Sequence, residues 1–154
     1  MRPPPLHLVL VEPEIAANTG AIGRTCVAAG VTLWLVRPLG FRIDDRNRRR
    51  AGLDYWEHLS WNVVDSLQAA VEAIGQERLW SFTTKAWRIH SAATFSPGDA
   101  LILGPESRGL PATWLDAQPE ERRLRIPMLP EARSLNLANA AAVAIYEARR
   151  QVGF

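Results

Sequence analysis

The chain has 154 residues, of which 47% are hydrophobic and 22% charged, and its formal net charge is +2. This composition is typical of one globular domain and excludes a disordered chain, while the single cysteine excludes a disulfide framework or a cysteine-rich zinc site. No apolar run approaches the roughly 20 residues that cross a bilayer, and no cleavable signal pattern follows Met1. We therefore expect a cytoplasmic protein without membrane contact, forming one domain over residues 1–154.

Apolar segments of strand length alternate along the chain with segments of helical character. The predicted strands span residues 6–11, 31–36, 78–83, 99–104 and 124–127. The predicted helices run from an Asn18-Thr19 cap to Gly30, from Asp65 to about Gln76, over 111–118 and over 136–151. Nearly continuous apolar strands separated by helices predict an α/β fold, a parallel sheet covered by helices on both faces.

Arginine is concentrated after the second predicted strand. Six arginines lie between residues 37 and 50, and four of them, Arg46, Arg48, Arg49 and Arg50, are nearly contiguous. Guanidinium groups bind phosphate, so this cluster fits contacts with a nucleic-acid backbone. A solvated helix face, or a general preference for arginine in a chain whose single lysine is Lys85, would give the same pattern.

The last predicted helix has almost no polar face between Ala138 and Ile145. A helix that is apolar all round is buried on all sides, and a terminal helix of a short chain has little of its own chain to cover it. We therefore predict that a second copy covers this helix in a homodimer. A helix buried inside its own domain is the alternative.

Several familiar chemistries lack their motifs. The loop after the first strand does not contain the glycine pattern of a dinucleotide site, and no Walker loop or Gly-x-Ser-x-Gly nucleophile elbow occurs. His7, His58 and His90 have no metal-ligand spacing, and Cys26 lies in an apolar predicted helix, where packing is its expected role. We therefore expect neither a metal nor a hydrolytic triad.

Three polar segments follow predicted strands, at the edge where open parallel sheets bind ligands. They are Asn18-Thr19-Gly20 with Arg24, the loop from Leu103 to Leu110, and the stretch from Ile126 to Ala140. Asn18, Ser134 or Asn136 could each merely cap a helix. Three such segments converging on one edge nevertheless exceed what capping requires.

Together the three segments resemble the motifs of the SPOUT superfamily of S-adenosylmethionine-dependent RNA methyltransferases, in its SpoU (2′-O-ribose) branch. Motif one matches Asn18 to Arg24, motif two Gly104-Pro105-Glu106, and motif three Ile126 through Asn139. Residues 41–56, 83–85 and 146–151 extend the resemblance to the minimal, single-domain TrmL type. Ser107 stands where this type is expected to have threonine.

The resemblance implies a C-terminal trefoil knot, an obligate homodimer and S-adenosylmethionine as methyl donor, with S-adenosylhomocysteine as product. The implied donor contacts are Phe82, Gly104, Ile126, Ser134 and Leu135. The implied catalytic residues are Arg24 at the 2′-hydroxyl, Asn18 orienting Arg24 or the ribose, Glu106 shaping its loop and Asn136 holding the nucleotide. RNA contacts would come from the Arg46–Arg50 cluster, with Arg133, Tyr146 and Arg149 as weaker candidates.

The function that the resemblance implies is 2′-O-methylation of the wobble pyrimidine, cytidine or uridine 34, in the anticodon loop of a tRNA. Two alternatives remain at this stage. One is a 2′-O-methyltransferase that acts on another tRNA position or on rRNA. The other is a non-catalytic RNA-binding protein that has kept the knot.

Overall fold

The computed structural model describes residues 5–43 and 54–154, which form one seven-stranded sheet with helices on both faces. The strands are β1 (Leu6–Val11), β2 (Thr32–Val36), β3 (Trp61–Val64), β4 (Leu79–Phe82), β5 (Arg88–Ile89), β6 (Asp99–Leu103) and β7 (Arg123–Arg125). The α-helices of this part of the chain are α1 (Ala16–Ala29), α2 (Leu67–Ile74), α3 (Ala112–Asp116) and α4 (Leu137–Val152). Short 3-10 turns at 54–58, 76–78, 90–92 and 120–122 connect them.

Every strand pair is parallel, and the strand order is β3-β2-β1-β6-β4-β7-β5. β2 and then β3 follow β1 on one side of it. The four later strands all lie on the other side of β1, with β6 directly beside it. Leu10 of β1 is level with Leu103 of β6, so their following loops leave the sheet side by side. Such a switch point is where open parallel sheets bind their ligands.

The alternation of side chains along β1 divides the core in two. Leu8 and Leu10 pack with α1 and α4 on one face, whereas Val9 and Val11 pack with α2 and α3 on the other. All four side chains are buried because both faces are covered. This arrangement confirms the predicted α/β fold class.

The positions of the main helices and strands and the end of α1 were predicted well, whereas the N-terminal caps of α1 and α2 were not. Gly30 ends α1 in the left-handed conformation, with φ of 67°, as its position predicted. The start was wrong: α1 begins at Ala16 after Ile15, so Asn18 lies inside the first turn. The second predicted cap was one residue early, because the Ser66 side chain, not Asp65, accepts from the Ala69 amide at 3.1 Å.

The sequence analysis did not predict two short strands, β3 and β5. β3 has only four residues, half-buried or exposed, and β5 has two half-buried residues. Both lie at the edges of the sheet, where one side is open and the apolar signal is weak.

The interpretation of the last helix needs correction. Ala141, Ala144, Ile145 and Ala148 are 0% exposed in the single chain, where they pack against the core that includes α1. The alternative of a helix buried in its own domain is therefore correct for this stripe. The apolar side chains that α4 leaves exposed are Val143 and Tyr146, at 40% and 46%.

Among the described residues, no helix is long and apolar enough to cross a membrane.

Candidate functional site

A cavity of about 460 Å³ lies at the carboxyl edge of the sheet, where the loops after β4, β6 and β7 meet the start of α1. Its lining consists of Ile15, Asn18, residues 82–85, residues 103–110, Ile126, Met128, residues 133–137 and Ala140. This volume is in the range of sites for cofactors and other small molecules. The three polar segments singled out in the sequence all contribute to the lining.

The five residues expected to hold the donor all line this cavity: Phe82, Gly104, Ile126, Ser134 and Leu135. Phe82 is buried at the end of β4, and Ile126 directly follows β7. Together with Leu103 and Leu110 they supply apolar surface, while the loop backbones and the Ser134 hydroxyl supply polar groups. Apolar walls with a few polar groups are typical of a small-molecule site.

Three of the four expected catalytic residues are joined in one hydrogen-bonded chain. Asn136 donates from Nδ2 to Oδ1 of Asn18 at 3.1 Å, and Asn18 donates from Nδ2 to Oε2 of Glu106 at 3.2 Å. Asn136 also caps α4, because its Oδ1 accepts from the amides of Ala138 and Asn139. The capping role considered for Asn136 in the sequence is therefore real and coexists with its place at the cavity.

Glu106 binds the backbone just before α1, whose N-cap residue Ile15 makes no side-chain cap. Its Oε1 accepts from the backbone amide of Glu14 at 2.8 Å, and its Oε2 accepts from that of Ile15 at 2.7 Å. A negative charge at a helix N-terminus satisfies free amides and interacts favourably with the helix dipole. Both oxygens are thus engaged by protein donors, which suits a residue that shapes the site.

Two acidic side chains of the β1–α1 loop, Glu14 and Glu12, bind residues of the β6 loop. Glu14 accepts from the amide and the hydroxyl of Ser107, at 2.7 and 2.9 Å, and Glu12 pairs with Arg108 at 3.2 Å. The backbone bond from Ser107, followed by its hydroxyl, lowers the pKa of the Glu14 carboxyl below its ordinary value. Ser107 supplies the hydroxyl that the threonine expected at this position would also carry.

Gly104 is required by a close approach of backbone. A Cβ built on it would lie 2.3 Å from the carbonyl carbon of Gly109 and 2.3 Å from the amide nitrogen of Leu110. The loop therefore closes on itself at this point. Any larger residue would push apart two backbone segments of the cavity wall, whether or not a ligand is bound.

Arg24 is placed differently from the other expected catalytic residues. It is exposed on α1, is not part of the cavity lining, and makes no hydrogen bond or ion pair with the described residues. It follows Asn18 by six residues, which is about 9 Å along a helix axis and about 120° around it. The structure therefore does not bring Arg24 to Asn18 within one chain.

The residues expected to bind RNA do not lie together, since Arg149 is near Gly30 at the C-terminal end of α1, the end of that helix far from Asn18. Arg133 lines the cavity, whereas Tyr146 lies on α4 with its ring 6.0 Å from that of Phe154. Arg149 is occupied at the end of α4, where it donates to the carbonyl of Gly153 at 2.6 Å. Sequence analysis overlooked Lys85 as a site residue, although it lines the cavity and is the single lysine of the chain.

The cluster of Arg46, Arg48, Arg49 and Arg50 lies outside the described residues. The chain on each side of it is anchored near the start of α1. Before the cluster, the Gly40 amide donates to the carbonyl of Pro13 at 2.9 Å. After it, the Tyr55 hydroxyl donates to the carbonyl of Gly20. The described residues on either side of the cluster therefore contact the β1–α1 loop and the first half of α1.

Comparisons with known proteins by family, by sequence and by structure all find methyltransferases. The model of the SpoU rRNA Methylase family matches residues 5–146. The chain is 49% identical over 149 residues to the tRNA (cytidine(34)-2′-O)-methyltransferase of Escherichia coli K12, a match that covers 97% of this chain and 95% of the relative.

Two solved structures are similar throughout the chain. One was described as giving structural insights into the 2-OH methylation of C/U34 on tRNA. It superposes with a TM-score of 0.87 at 47% identity, covering 95% of both chains. The other is the SpoU methyltransferase AviRb from Streptomyces viridochromogenes in complex with the cofactor AdoMet. It has a TM-score of 0.81 at 25% identity and covers 98% of this chain and 59% of that one.

Proposed function

The chain belongs to the SpoU rRNA methylase family, and we propose that it is the tRNA methyltransferase that modifies the 2′-hydroxyl of nucleotide 34, cytidine or uridine. The observation that carries this proposal is the 49% identity, over nearly the full length of both chains, to a tRNA (cytidine(34)-2′-O)-methyltransferase. The match includes the segments that build the cavity at the carboxyl edge of the sheet.

We propose S-adenosylmethionine as the methyl donor, and the cavity fits it in size and in chemistry. Phe82, Ile126 and Leu135 would enclose an adenine between apolar side chains, and the loops at Gly104 and Ser134 would provide polar contacts. Among the described residues, no group of three or more histidine, cysteine or acidic side chains could hold a metal. The proposed reaction uses none.

When bound, S-adenosylmethionine supplies a methyl group that is already activated on a sulfonium centre. The protein must then hold the ribose hydroxyl in line with that group and assist the loss of its proton. Asn136 and Asn18 would hold the nucleotide at the cavity. In support, each amide keeps hydrogen-bonding capacity beyond the bonds described above.

Arg24 is assigned to the RNA side of the reaction. A guanidinium stays protonated at ordinary pH, so it cannot accept the proton of the hydroxyl. It can bind the adjacent phosphate and the negative charge that develops on the 2′-oxygen, while phosphate or water takes the proton. Its exposed position and the absence of an ion pair with any described residue leave it free for this contact.

We propose that the protein acts in the cytoplasm as a homodimer. Val143 and Tyr146, each about two fifths exposed on α4, offer apolar surface beside the buried stripe. In a dimer, Arg24 would act at the cavity of the second subunit, because its side chain leaves α1 on a different side from Asn18. The trefoil knot stays a prediction from the resemblance.

Methyl transfer to synthetic anticodon stem-loops tests the proposed function. With tritiated S-adenosylmethionine, we expect incorporation into stem-loops with cytidine or uridine 34 and none when nucleotide 34 is a 2′-deoxynucleotide. Labelling confined to rRNA fragments or to another tRNA region would establish a different substrate. Absence of both donor binding and methylation, with RNA binding retained, would identify a non-catalytic RNA-binding protein.

A further inference from the structure

Two carboxylates connect the β1–α1 loop and the β6 loop in opposite directions. Glu106, in the β6 loop, accepts from the amides of Glu14 and Ile15 at 2.8 and 2.7 Å. Glu14, in the β1–α1 loop, accepts from the amide and hydroxyl of Ser107 at 2.7 and 2.9 Å. The four bonds join residues more than 90 positions apart in sequence at the switch point of the sheet. We name this arrangement the crossed clamp.

The two halves of the clamp serve different parts of the site. The bonds to Glu106 stabilise the N-terminus of α1, the helix that carries Asn18 and Arg24. The bonds to Glu14 instead hold Ser107, in the middle of the loop from Gly104 to Leu110 that forms one wall of the cavity. Glu14 itself is not part of the cavity lining, so any effect on a ligand passes through Ser107.

The geometry explains why this loop needs an external anchor. Inside the loop, the Gly109 amide donates to the carbonyl of Pro105 at 2.9 Å, and Gly104 touches the Gly109–Leu110 backbone. Ser107 stands at the exposed tip, where its amide has Glu14 as its acceptor. Hydrogen bonds to a charged acceptor are stronger than neutral ones, and fixing a loop before binding reduces the ordering that the ligand must impose.

We propose that Glu14 is a positioning residue for donor binding, which holds the wall from Gly104 to Leu110 in the conformation that receives the methyl donor. This inference rests on the proposed function. It adds a residue that lies outside the cavity lining. The two bonds from Ser107 lower the pKa of the Glu14 carboxyl because they favour its ionised form, which accepts both of them.

Calorimetric titration of the protein with S-adenosylmethionine, and separately with S-adenosylhomocysteine, tests the proposal. We expect Glu14→Ala to weaken both affinities by about tenfold or more, because both anchors of Ser107 are lost. Glu14→Gln should stay within about threefold of wild type, since its amide can accept from the Ser107 N–H and donate to the Ser107 hydroxyl. With saturating donor, kcat of Glu14→Ala should remain within about twofold of wild type.

Glu12→Ala is the matched control. Glu12 belongs to the same loop and pairs with the next residue, Arg108, but that pair is exposed and contributes little. Donor affinity should therefore change by less than about twofold in this variant. Ser107→Ala in the Glu14→Ala background should have no further effect, whereas in the wild-type background it should weaken donor binding.

Unchanged donor affinity in Glu14→Ala would overturn the proposal, as would a loss of kcat at saturating donor without a change in affinity. If Glu14→Ala does not fold, the same question is decided by Ser107→Ala, which keeps the loop backbone, against Glu12→Ala. A wild-type protein that binds neither donor nor product would instead contradict the proposed function. That outcome is separate from any effect of Glu14.

Discussion

Asn18 uses both ends of its side-chain amide on protein groups, since Nδ2 donates to Glu106 and Oδ1 accepts from Asn136. The amide nitrogen has a second hydrogen and the oxygen a second lone pair, which remain for a ligand. One side chain thus joins motif one to motifs two and three. A residue expected only to orient a neighbour or to cap a helix thus connects the first turn of α1 with Glu106 and with Asn136.

Replacement of Arg24 separates catalysis from donor binding. Arg24→Ala should leave the affinity for S-adenosylmethionine within about twofold of wild type, because Arg24 is not in the cavity lining. Turnover should fall by about a hundredfold or more, as expected when positioning at the transition state is lost. Arg24→Lys should not restore it, because a point charge lacks the planar fork. Substantial activity in the lysine variant would show that charge alone suffices.

Gly104 and Gly109 make a matched pair for testing the loop. Gly104→Ala would bring a Cβ within 2.3 Å of backbone, so we expect a loss of about 2–4 kcal/mol in unfolding free energy together with weaker donor binding. A substitution here therefore cannot act on donor binding alone. Gly109 has a φ of +68° but open space around its Cβ position, so Gly109→Ala should lose only about 1–2 kcal/mol. Denaturant unfolding measures both, and equal losses would contradict the close approach.

At the scale of elements, the 14 residues of α1 contribute both to the hydrophobic core and to the proposed site. Its buried side, with Ile22 and Cys26, faces the core and α4, while Asn18 and Arg24 leave on other sides. Gly23 allows the Trp56 ring to approach, since a Cβ there would lie 2.7 Å from that ring. The 54–58 turn thereby packs on the helix next to Arg24, one of the residues proposed to act in catalysis.

The Cys26 thiol should not react with thiol reagents in the folded protein. Burial raises its pKa to about 12, so almost no thiolate exists at pH 8. A disulfide reagent at pH 8 should therefore modify no thiol in the native state and one per chain in guanidinium chloride, where the pKa returns to about 8.5. Rapid modification of the native protein would mean that α1 opens locally or that Cys26 is not buried.

At the scale of the whole molecule, the two sides of α4 have different expected roles. We expect the wild-type protein to sediment as a dimer at micromolar concentration. Val143→Glu combined with Tyr146→Glu should yield a folded monomer, because these side chains are exposed in the single chain. Ala144→Glu should instead prevent folding, because Ala144 is 0% exposed and a buried unpaired charge is strongly destabilising. A wild-type monomer would refute the dimer.

The arginine cluster should determine how RNA affinity depends on salt. Replacing Arg46, Arg48, Arg49 and Arg50 with glutamine should weaken tRNA binding and reduce the slope of log K against log salt. The reduction should be about 0.7–0.9 per lost phosphate contact. Donor affinity should stay unchanged, which calorimetry with S-adenosylmethionine measures. An unaltered salt slope would exclude the cluster from the RNA interface.

The sequence by itself determined the order of the main strands and helices, the α/β class and the edge of the sheet at which the site lies. Strands such as β1 and β6 are apolar except for His7 and Asp99 because both their faces are covered, and that pattern is local. The three motif segments follow strands, and the carboxyl ends of parallel strands meet at one edge. These three segments could therefore be predicted to share a site. The individual donor contacts, Phe82, Gly104, Ile126, Ser134 and Leu135, came from the family resemblance, and all five line the cavity.

Only the tertiary structure decided which polar groups bind one another and which apolar groups remain exposed. Glu14 meets Ser107 because β1 and β6 are neighbours in the sheet, although 93 positions separate the two residues. Local sequence carries no signal for that pairing. For the same reason, the cover of α4 could not be predicted: α1 packs against its alanine stripe, and their contact depends on the path of the whole chain.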